Sequence, residues 1–246
     1  MKSLLLCYIT DRRQLTSVSL LAVIRETLRA GVDMVQIREK DLPSRELLAL
    51  VEQALSATRE VPSTAEAPHL PTVPDAVPSL SDEHPQPPVI LNAATDPCGS
   101  LATRPCVLVN DRLDVALAAG AEGVHLGGHS MPVAAVRKLA PRPFLLGVSC
   151  HSLSEAMAAE SGGADYLVLG PVFETPSKLR YGRPLGLEDL RKVTAQIKIP
   201  VLALGGITVE RVRPCLEAGA SGIAGIRIFQ DCQSIQERVR ELRAQG

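Results

Sequence analysis

A short repeat constrains the fold of this chain more than any other feature of its sequence. Four times, a helical pattern ends in a small-residue segment that contains glycine, and an apolar run follows directly. The four segments are Ala30-Gly31-Val32-Asp33, Ala119-Gly120-Ala121-Glu122, Gly163-Ala164-Asp165 and Ala218-Gly219-Ala220-Ser221. Glycine is the usual residue just past a helix end, and the apolar run after it is typical of a buried strand. The repeat therefore predicts successive helix-to-strand units.

Further apolar runs between the repeats complete an alternation of strands and helices. We predict eight strands: Leu4–Ile9, Met34–Gln36, Cys106–Val109, Val124–Leu126, Phe144–Val148, Tyr166–Val172, Val201–Leu204 and Ile223–Ile226. Strict alternation of this kind predicts an α/β protein, either a (β/α)8 TIM barrel or a long doubly wound sheet. The length of 246 residues, and the absence of a GxGxxG motif after the first strand, favour the barrel.

The composition agrees with a single barrel domain over residues 1–246. Hydrophobic residues make up 46% of the chain, whereas aromatics make up 2% and tryptophan is absent. The core must therefore consist of leucine, valine, isoleucine and alanine, which suits a parallel sheet buried on both faces. Residues 60–104 do not fit this pattern, because they are rich in proline, poor in aliphatic residues and without periodicity. We interpret them as a flexible insertion between the second helix and the third strand, away from the catalytic face.

Charge and cysteine usage exclude several classes of partner. A net charge of -1 gives no reason to expect nucleic acid or an anionic membrane, and the few aromatics disfavour base stacking. Six scattered cysteines without a CxxC motif are typical of reduced thiols in a cytosolic protein. We find no signal peptide and no apolar run of transmembrane length. The sequence therefore predicts a cytoplasmic protein with small-molecule partners, and leaves a homo-oligomer open.

Polar residues at the ends of the second and third strands predict an anion and metal site. Strand alternation places Gln36, Arg38 and Lys40 on one face, where an amide and two cations suit a polyphosphate. Alternatively, Arg38 and Lys40 pair with the neighbouring carboxylates at the rim. After the third strand, Asn110 and Asp111 offer oxygen ligands of the type that Mg²⁺ prefers. Alternatively, Asp111 is the N-cap of the helix that starts near Leu113.

The later strand ends predict a second anion pocket. Gly170 to Lys178 forms a hydroxyl-rich loop that could direct hydroxyls, backbone N–H groups and an ammonium at one phosphate, although the same residues are also typical of a plain turn. Glycines after the seventh strand and amides after the eighth form the phosphate site common in such barrels. Ser149 lies at the end of the fifth strand, and His151, which follows this strand end, is a candidate for acid–base chemistry or polar contact. The residues of this pocket are Thr175, Ser177, Lys178, Gly205, Gly206, Ile226 and Arg227. Two anion sites and one candidate Mg²⁺ site suggest that two phosphorylated substrates are joined.

These segments, in this order, resemble the thiamine phosphate synthase / thiazole tautomerase family. The matching stretches are Tyr8–Asp11, Val35–Leu42, Asn110–Gly127, Gly147–Ser152, Gly163–Lys178, Pro200–Ile207 and Gly219–Ile226. They cover nearly the whole chain except the proline-rich insertion. The resemblance implies a transferase that joins hydroxymethylpyrimidine diphosphate to thiazole phosphate and releases pyrophosphate, with Mg²⁺ as cofactor.

The resemblance also implies residue roles. By position, Gln36, Arg38, Lys40 and Asn110 would hold the pyrimidine diphosphate, and Asp111 would hold Mg²⁺. Ser149 and Lys178 would contact the pyrophosphate. The thiazole phosphate would lie against Thr175, Ser177, Gly205, Gly206 and the Ile226-Arg227 amides.

Two positions depart from the synthase pattern. Ser130 stands where the family usually has the second metal-binding Asp, and Arg227 stands where it usually has a small serine. Both changes favour the tautomerase branch, in which a histidine matching His151 is expected to move the proton on a thiazole carboxylate phosphate. The retained polar set favours the synthase. A non-catalytic binder of thiazole or thiamine phosphate is the third hypothesis.

Overall fold

The structure, a computed structural model, describes residues 4–61, 104–175 and 183–246. Within these ranges eight parallel strands pair in chain order and close into a barrel, with the last strand paired to the first. The predicted (β/α)8 fold is confirmed. The strands are β1 (Leu5–Ile9), β2 (Met34–Ile37), β3 (Cys106–Asn110), β4 (Gly123–Leu126), β5 (Leu145–Cys150), β6 (Tyr166–Leu169), β7 (Val201–Leu204) and β8 (Gly222–Gly225).

Helices surround the barrel and cover its outer face. Helix α1 shows the local rule: Ser19 caps its first turn by accepting the Ala22 N–H, and its apolar residues Val23, Ile24 and Leu28 are buried against the sheet. No helix within the described ranges is long and apolar enough to cross a bilayer. The helices are α1 (Leu20–Ala30), α2 (Ser44–Arg59), α3 (Leu113–Ala119), α4 (Val133–Leu139), α5 (Leu153–Ser161), α6 (Gly186–Thr194), α7 (Val209–Glu217), α8 (Arg227–Gln230) and α9 (Ile235–Arg243), with a 3₁₀ turn at Arg12–Gln14.

The repeat builds the N-terminal rim of the barrel. Its glycines, Gly31, Gly120, Gly163 and Gly219, all have positive φ, a conformation that is common just past a helix end and that glycine adopts readily. In three repeats the acidic residue then accepts a backbone N–H from the preceding strand: Asp33 from Leu6 (2.7 Å), Glu122 from Val107 (2.8 Å) and Asp165 from Leu146 (2.8 Å). The acidic position of the repeat therefore extends the sheet ladder below the strands.

The barrel interior changes from apolar to polar along the strands. Its lower layers contain Leu5, Cys7, Met34, Cys106, Leu108, Leu145, Tyr166, Leu202 and Ala224. Because side chains alternate along a strand, the next inward positions toward the C-terminal ends are Gln36, Asn110, His125 and Ser149. A closed apolar plug thus supports a polar layer at the mouth.

The sixth strand is shorter than predicted. We predicted that the sixth strand reaches Val172, but β6 ends at Leu169, because Pro171 has no N–H to continue the ladder. The Val172 N–H still donates to the Leu204 carbonyl (2.8 Å), so the loop stays against β7. The predicted insertion at 60–104 lies between α2 and β3, and its residues 62–103 are outside the described ranges.

Candidate active site at the C-terminal mouth of the barrel

A chain of side-chain hydrogen bonds links the ends of β2 and β3. The Gln36 side chain is buried, and its Nε2 donates to Asn110 Oδ1 (2.8 Å). The Asn110 Nδ2 in turn donates to Asp111 Oδ2 (2.7 Å). The structure therefore brings these three predicted site residues together. The Gln36 Oε1 is buried and has no hydrogen-bond partner among the described residues.

Asp111 is held over the end of β4 and is not a helix cap. The N-cap of α3 is Arg112, without a side-chain cap, so the alternative reading of Asp111 as an N-cap is wrong. Asp111 has φ 61°, a left-handed conformation that Asp adopts more readily than most residues. Its Oδ1 accepts hydrogen bonds from the Ser130 hydroxyl and from the Gly127 N–H (3.2 Å). Ser130, which departs from the synthase pattern, is therefore a direct hydrogen-bond partner of Asp111, the acidic residue that is kept.

The basic residues after β2 do not pair with their own acidic neighbours. Arg12 forms ion pairs with both carboxylates that flank Lys40, at 3.2 Å from Glu39 and 2.6 Å from Asp41. Within the described ranges neither Arg38 nor Lys40 lies within ion-pair distance of a carboxylate. The alternative in which Arg38 and Lys40 pair with Glu39 or Asp41 is therefore wrong for the described residues. Arg38 is half-buried and Lys40, in the turn beyond the strand, is exposed.

A buried clamp that the sequence analysis missed fixes the segment carrying Arg38. The Glu39 carboxylate, 2% exposed, accepts the Thr10 hydroxyl (2.6 Å). The Thr10 Oγ1 itself accepts the Arg38 backbone N–H (2.9 Å). These bonds tie the end of β1 to the end of β2. The sequence signal for the clamp is the acidic residue Glu39 between two basic residues, for which we had considered only ion pairing with Arg38 or Lys40 as an alternative.

A second chain of hydrogen bonds runs across β4, β5 and β6, and its central residue was also missed. His125 is 1% exposed; its Nε2 lies 2.8 Å from Ser149 Oγ and its Nδ1 lies 3.0 Å from the Tyr166 hydroxyl. Burial lowers the pKa of His125 to about 4, with Asp111 opposing and Arg38 adding to that shift. The ring is therefore neutral near pH 7. Alternation in β4, which places His125 on the inward face with Gly123, could have found it.

His151, the histidine chosen from the sequence, has a different environment. It follows β5, is exposed, and its Nδ1 contacts the Gly170 carbonyl oxygen. Its backbone N–H donates to Glu155 (2.7 Å). The described contacts hold the ring at the rim, between the ends of β5 and β6.

The glycines after β7 let the loop after β6 approach closely. Gly205 and Gly206 have φ of 97° and 63°. A side-chain carbon at Gly205 would lie 2.6 Å from the Pro171 Cβ, and one at Gly206 would lie 2.5 Å from the Glu174 carbonyl oxygen. Packing of the loop that carries Thr175 thus explains these glycines.

The remaining predicted residues lie at the end of β8 or outside the described ranges. Ile226 precedes the short helix α8, whose first residue is Arg227. The Arg227 side chain is 55% exposed and lies 4.0 Å from Asp231. Ser177 and Lys178 fall within residues 176–182, outside the described ranges.

The fold and the mouth define a class of protein. A (β/α)8 barrel with an apolar plug and amides, carboxylates, hydroxyls and basic groups at its C-terminal end has the layout of a small-molecule enzyme. The solved structure of 3-hexulose-6-phosphate synthase, 15% identical with a TM-score of 0.62, shares this fold.

Comparison with known sequences gives the family. The family described as thiamine monophosphate synthase matches residues 6–65 and 101–229, so the chain belongs to that family. A protein named "Putative thiamine-phosphate synthase" from Geobacter sulfurreducens is 40% identical over 96% of this chain and 91% of its own length. The thiamine-phosphate synthase of Pyrococcus furiosus is 35% identical, with coverage of 96% and 91%.

A solved structure agrees with these matches. The thiamine phosphate pyrophosphorylase from Pyrococcus furiosus superposes with a TM-score of 0.73 at 33% identity, covering 98% of this chain and 95% of that one. The resemblance inferred from the strand-end motifs is confirmed. The family match omits residues 66–100, which lie within the predicted insertion.

Proposed function

We propose that the protein is a thiamine-phosphate synthase, a transferase that joins hydroxymethylpyrimidine diphosphate to thiazole phosphate and releases pyrophosphate. Relatives of that name match almost the whole chain. The structural observation that carries the proposal is the connected Gln36–Asn110–Asp111 chain at the barrel mouth. It links the residue that carries one unsatisfied acceptor, Gln36, through Asn110 to one carboxylate, Asp111.

The unsatisfied acceptor suits the pyrimidine. Because Gln36 Nε2 donates to Asn110, the amide orientation leaves Gln36 Oε1 without a donor in the described structure. A buried acceptor of this kind costs about 1–3 kcal/mol unless something donates to it. The amino group of the pyrimidine is such a donor. We therefore assign the pyrimidine amino group to the Gln36 Oε1 acceptor.

The basic residues suit the diphosphate. The Thr10–Glu39 clamp fixes the backbone of Arg38, whose side chain is half-buried, and Lys40 is exposed. A guanidinium can bind phosphate oxygens in a bidentate manner, and an ammonium adds a compact charge. Their charges favour departure of pyrophosphate because negative charge grows on the leaving group.

The barrel mouth offers one carboxylate for Mg²⁺, which would need substrate phosphates and water as its other ligands. Among the described residues no group of three histidine, cysteine or acidic side chains could hold a metal. Mg²⁺ is, however, commonly held by one or two carboxylates together with substrate phosphates and water. Asp111 would supply the single carboxylate, and a bound Mg²⁺ would stabilise charge on the departing pyrophosphate.

The protein residues have mainly electrostatic and positioning roles. The C–O bond between the pyrimidine methylene and the diphosphate breaks, and the thiazole nitrogen forms the new C–N bond to that methylene. No proton transfer is needed for this substitution. In this proposal the diphosphate is bound by Ser149 and Lys178, as the resemblance implies. The thiazole phosphate is assigned to Thr175, Ser177, Gly205, Gly206 and the Ile226-Arg227 amides.

The test is an assay of the purified protein with both phosphorylated substrates. We expect thiamine phosphate only when both substrates and Mg²⁺ are present, and none when either substrate is omitted. Excess chelator should stop the reaction. Full activity in chelator would overturn the magnesium part of the proposal, and no product under any condition would overturn the synthase.

Two observations favour a second candidate, thiazole tautomerase. The Ser130 hydroxyl replaces a carboxylate beside Asp111, and His151 lies exposed at the rim beside Gly170. A tautomerase needs neither diphosphate nor metal. If isomerisation of thiazole carboxylate phosphate occurs, is lost in His151→Ala, and no thiamine phosphate forms, the tautomerase is correct. Saturable binding of both substrates without either product would identify a non-catalytic binder.

A further inference from the structure

The buried chain Tyr166–His125–Ser149 has a defined direction. Tyr166 is fully buried and His125 is 1% exposed, whereas Ser149 is half-buried at the mouth. Two hydrogen bonds, of 3.0 and 2.8 Å, join the three side chains across the barrel interior. The identity of each donor decides which way the Ser149 proton points.

The Tyr166 hydroxyl sets the direction. Within residues 4–61, 104–175 and 183–246, its hydrogen bond is to His125 Nδ1. Burial raises the pKa of Tyr166 well above its ordinary value of 10, so the phenol keeps its proton. If Nδ1 donated to the phenol oxygen, the phenol proton would have no acceptor, at a cost of about 1–3 kcal/mol. Tyr166 therefore donates to Nδ1.

The imidazole transmits this choice, because a ring whose Nδ1 accepts a hydrogen bond carries its single proton on Nε2. In a neutral ring one nitrogen carries the proton and the other accepts. With Nδ1 accepting, Nε2 carries the proton and donates to Ser149 Oγ. The Ser149 proton must then point away from His125. No other described side chain or carbonyl receives it, and the side chain lies in the polar layer at the mouth.

The geometry points to His125 and Tyr166 as positioning residues that hold the Ser149 hydroxyl as a hydrogen-bond donor to an anionic oxygen of the substrate. This inference rests on the proposed function, in which Ser149 contacts the diphosphate. A hydroxyl fixed as a donor needs no reorientation when negative charge develops on the leaving group. His125 forms two hydrogen bonds in this arrangement, but no proton is transferred to or from its ring during the reaction.

Gly147 leaves the space that the Tyr166 side chain needs to reach His125. A side-chain carbon on Gly147 in β5 would overlap the Tyr166 ring, so only glycine lets the phenol lie beneath His125. Gly147 and Tyr166 are direct neighbours in the β5–β6 pairing.

The first test is the tautomer of His125, which requires neither substrate nor variant activity. Nitrogen-15 NMR of histidine-labelled protein, with the His125 signals assigned by their loss in His125→Gln, reports which ring nitrogen carries the proton. We expect a protonated Nε2 and an unprotonated Nδ1 near neutral pH. A protonated Nδ1 would overturn the inference, even if thiamine phosphate is formed.

The second test compares two buried tyrosines. Tyr166→Phe removes the donor to Nδ1, whereas Tyr8→Phe removes a hydroxyl that accepts from Gln230 (2.8 Å) outside the barrel interior. We expect kcat for thiamine phosphate formation to fall roughly tenfold in Tyr166→Phe, with the KM for thiazole phosphate unchanged. Tyr8→Phe should keep the wild-type kcat. Equal losses in both variants, or none in Tyr166→Phe, would contradict the positioning role. A wild type that makes no thiamine phosphate would refute the proposed function and leave the tautomer test intact.

Discussion

The two ends of the barrel follow opposite rules. At the N-terminal end, three of four repeats use an acidic side chain for the same task, accepting one backbone N–H from the preceding strand. At the C-terminal end the strands finish in different polar side chains, and each has its own partner. The residues there include Gln36, Asn110, Asp111, His125 and Ser149. The acidic residue that recurs in the repeat has a structural role, whereas the polar side chains at the C-terminal end, which do not recur, form the candidate site.

The largest effect should come from the carboxylate at the mouth. Asp111→Asn should lower thiamine phosphate formation by about 100-fold or more, because it removes the charge that would hold Mg²⁺ beside the leaving group. The measurement is steady-state turnover at saturating substrates. Asp114→Asn is the matched control, since Asp114 pairs with Arg112 at the surface. Equal activity in the two variants would mean that Asp111 has no special role.

Packing beneath the mouth provides the next test. Gly147→Ala should lower the free energy of unfolding by about 1–3 kcal/mol, because its new methyl group would overlap Tyr166. Gly128→Ala is the control, since nothing lies within 4 Å of its added carbon. Urea denaturation of both variants measures the difference. If the two are equally stable, Tyr166 does not pack on β5 as described.

A smaller gain should follow from restoring a carboxylate. Ser130→Asp places a second hard oxygen ligand beside Asp111, so Mg²⁺ should bind several-fold more tightly. Thiamine phosphate formation at limiting metal should rise accordingly, and Mn²⁺ binding gives a readout independent of turnover. Ser130→Ala, which removes the contact, should not tighten binding. Unchanged Mn²⁺ affinity in Ser130→Asp would separate Ser130 from the metal site.

The N-terminal rim should respond to pH. Burial raises the pKa of Asp33 above 3.8, despite the nearby Arg243 guanidinium. Its contribution to stability is therefore full below pH 3.8 and is lost as the pH rises through the raised folded pKa. Relative to Asp33→Asn, which keeps an acceptor for Leu6, wild type should lose unfolding free energy over that window.

Asp114→Asn gives the control of opposite sign for this pH effect. Arg112 lowers the pKa of Asp114, so wild type should gain stability relative to that variant as the pH rises toward 3.8. Denaturation of both pairs across acidic pH measures the two slopes. Slopes of the same sign would contradict the burial of Asp33 at the rim.

The smallest effect should come from the insertion. Deleting about thirty residues between Pro62 and Leu91 should leave stability and turnover nearly unchanged, because changing loop length between two fixed ends costs little. The family match omits residues 66–100, which supports this expectation. Thermal unfolding and steady-state assays measure the outcome. An insoluble or inactive shortened protein would place a structural element there.

The fold was predictable because its signals are periodic. Glycine after four of the helices, each followed by an apolar run, located the even strands. The alternation of eight strands with helices, the chain length and the absence of a GxGxxG motif then favoured the barrel. The end of β6 was placed three residues late, since Val172 is apolar and contacts β7 although the ladder has already stopped at Pro171. Local apolarity does not report where backbone pairing ends.

The site was only partly predictable because its connections are not periodic. Gln36, Asn110 and Asp111 were found by their position at strand ends, and the structure joins them. His125 was passed over because it lies within a strand, and its role depends on Ser149 and Tyr166 from two other strands. The magnesium and phosphate roles remain predictions.

Phosphorus-31 NMR of one reaction tests the synthase proposal most directly. The sample would contain wild-type protein, Mg²⁺, hydroxymethylpyrimidine diphosphate and thiazole phosphate. We predict that thiamine phosphate and pyrophosphate appear together in equal amounts while both substrates disappear. Persistence of both substrates, under conditions in which the protein is folded, would contradict the conclusion that this barrel mouth joins them.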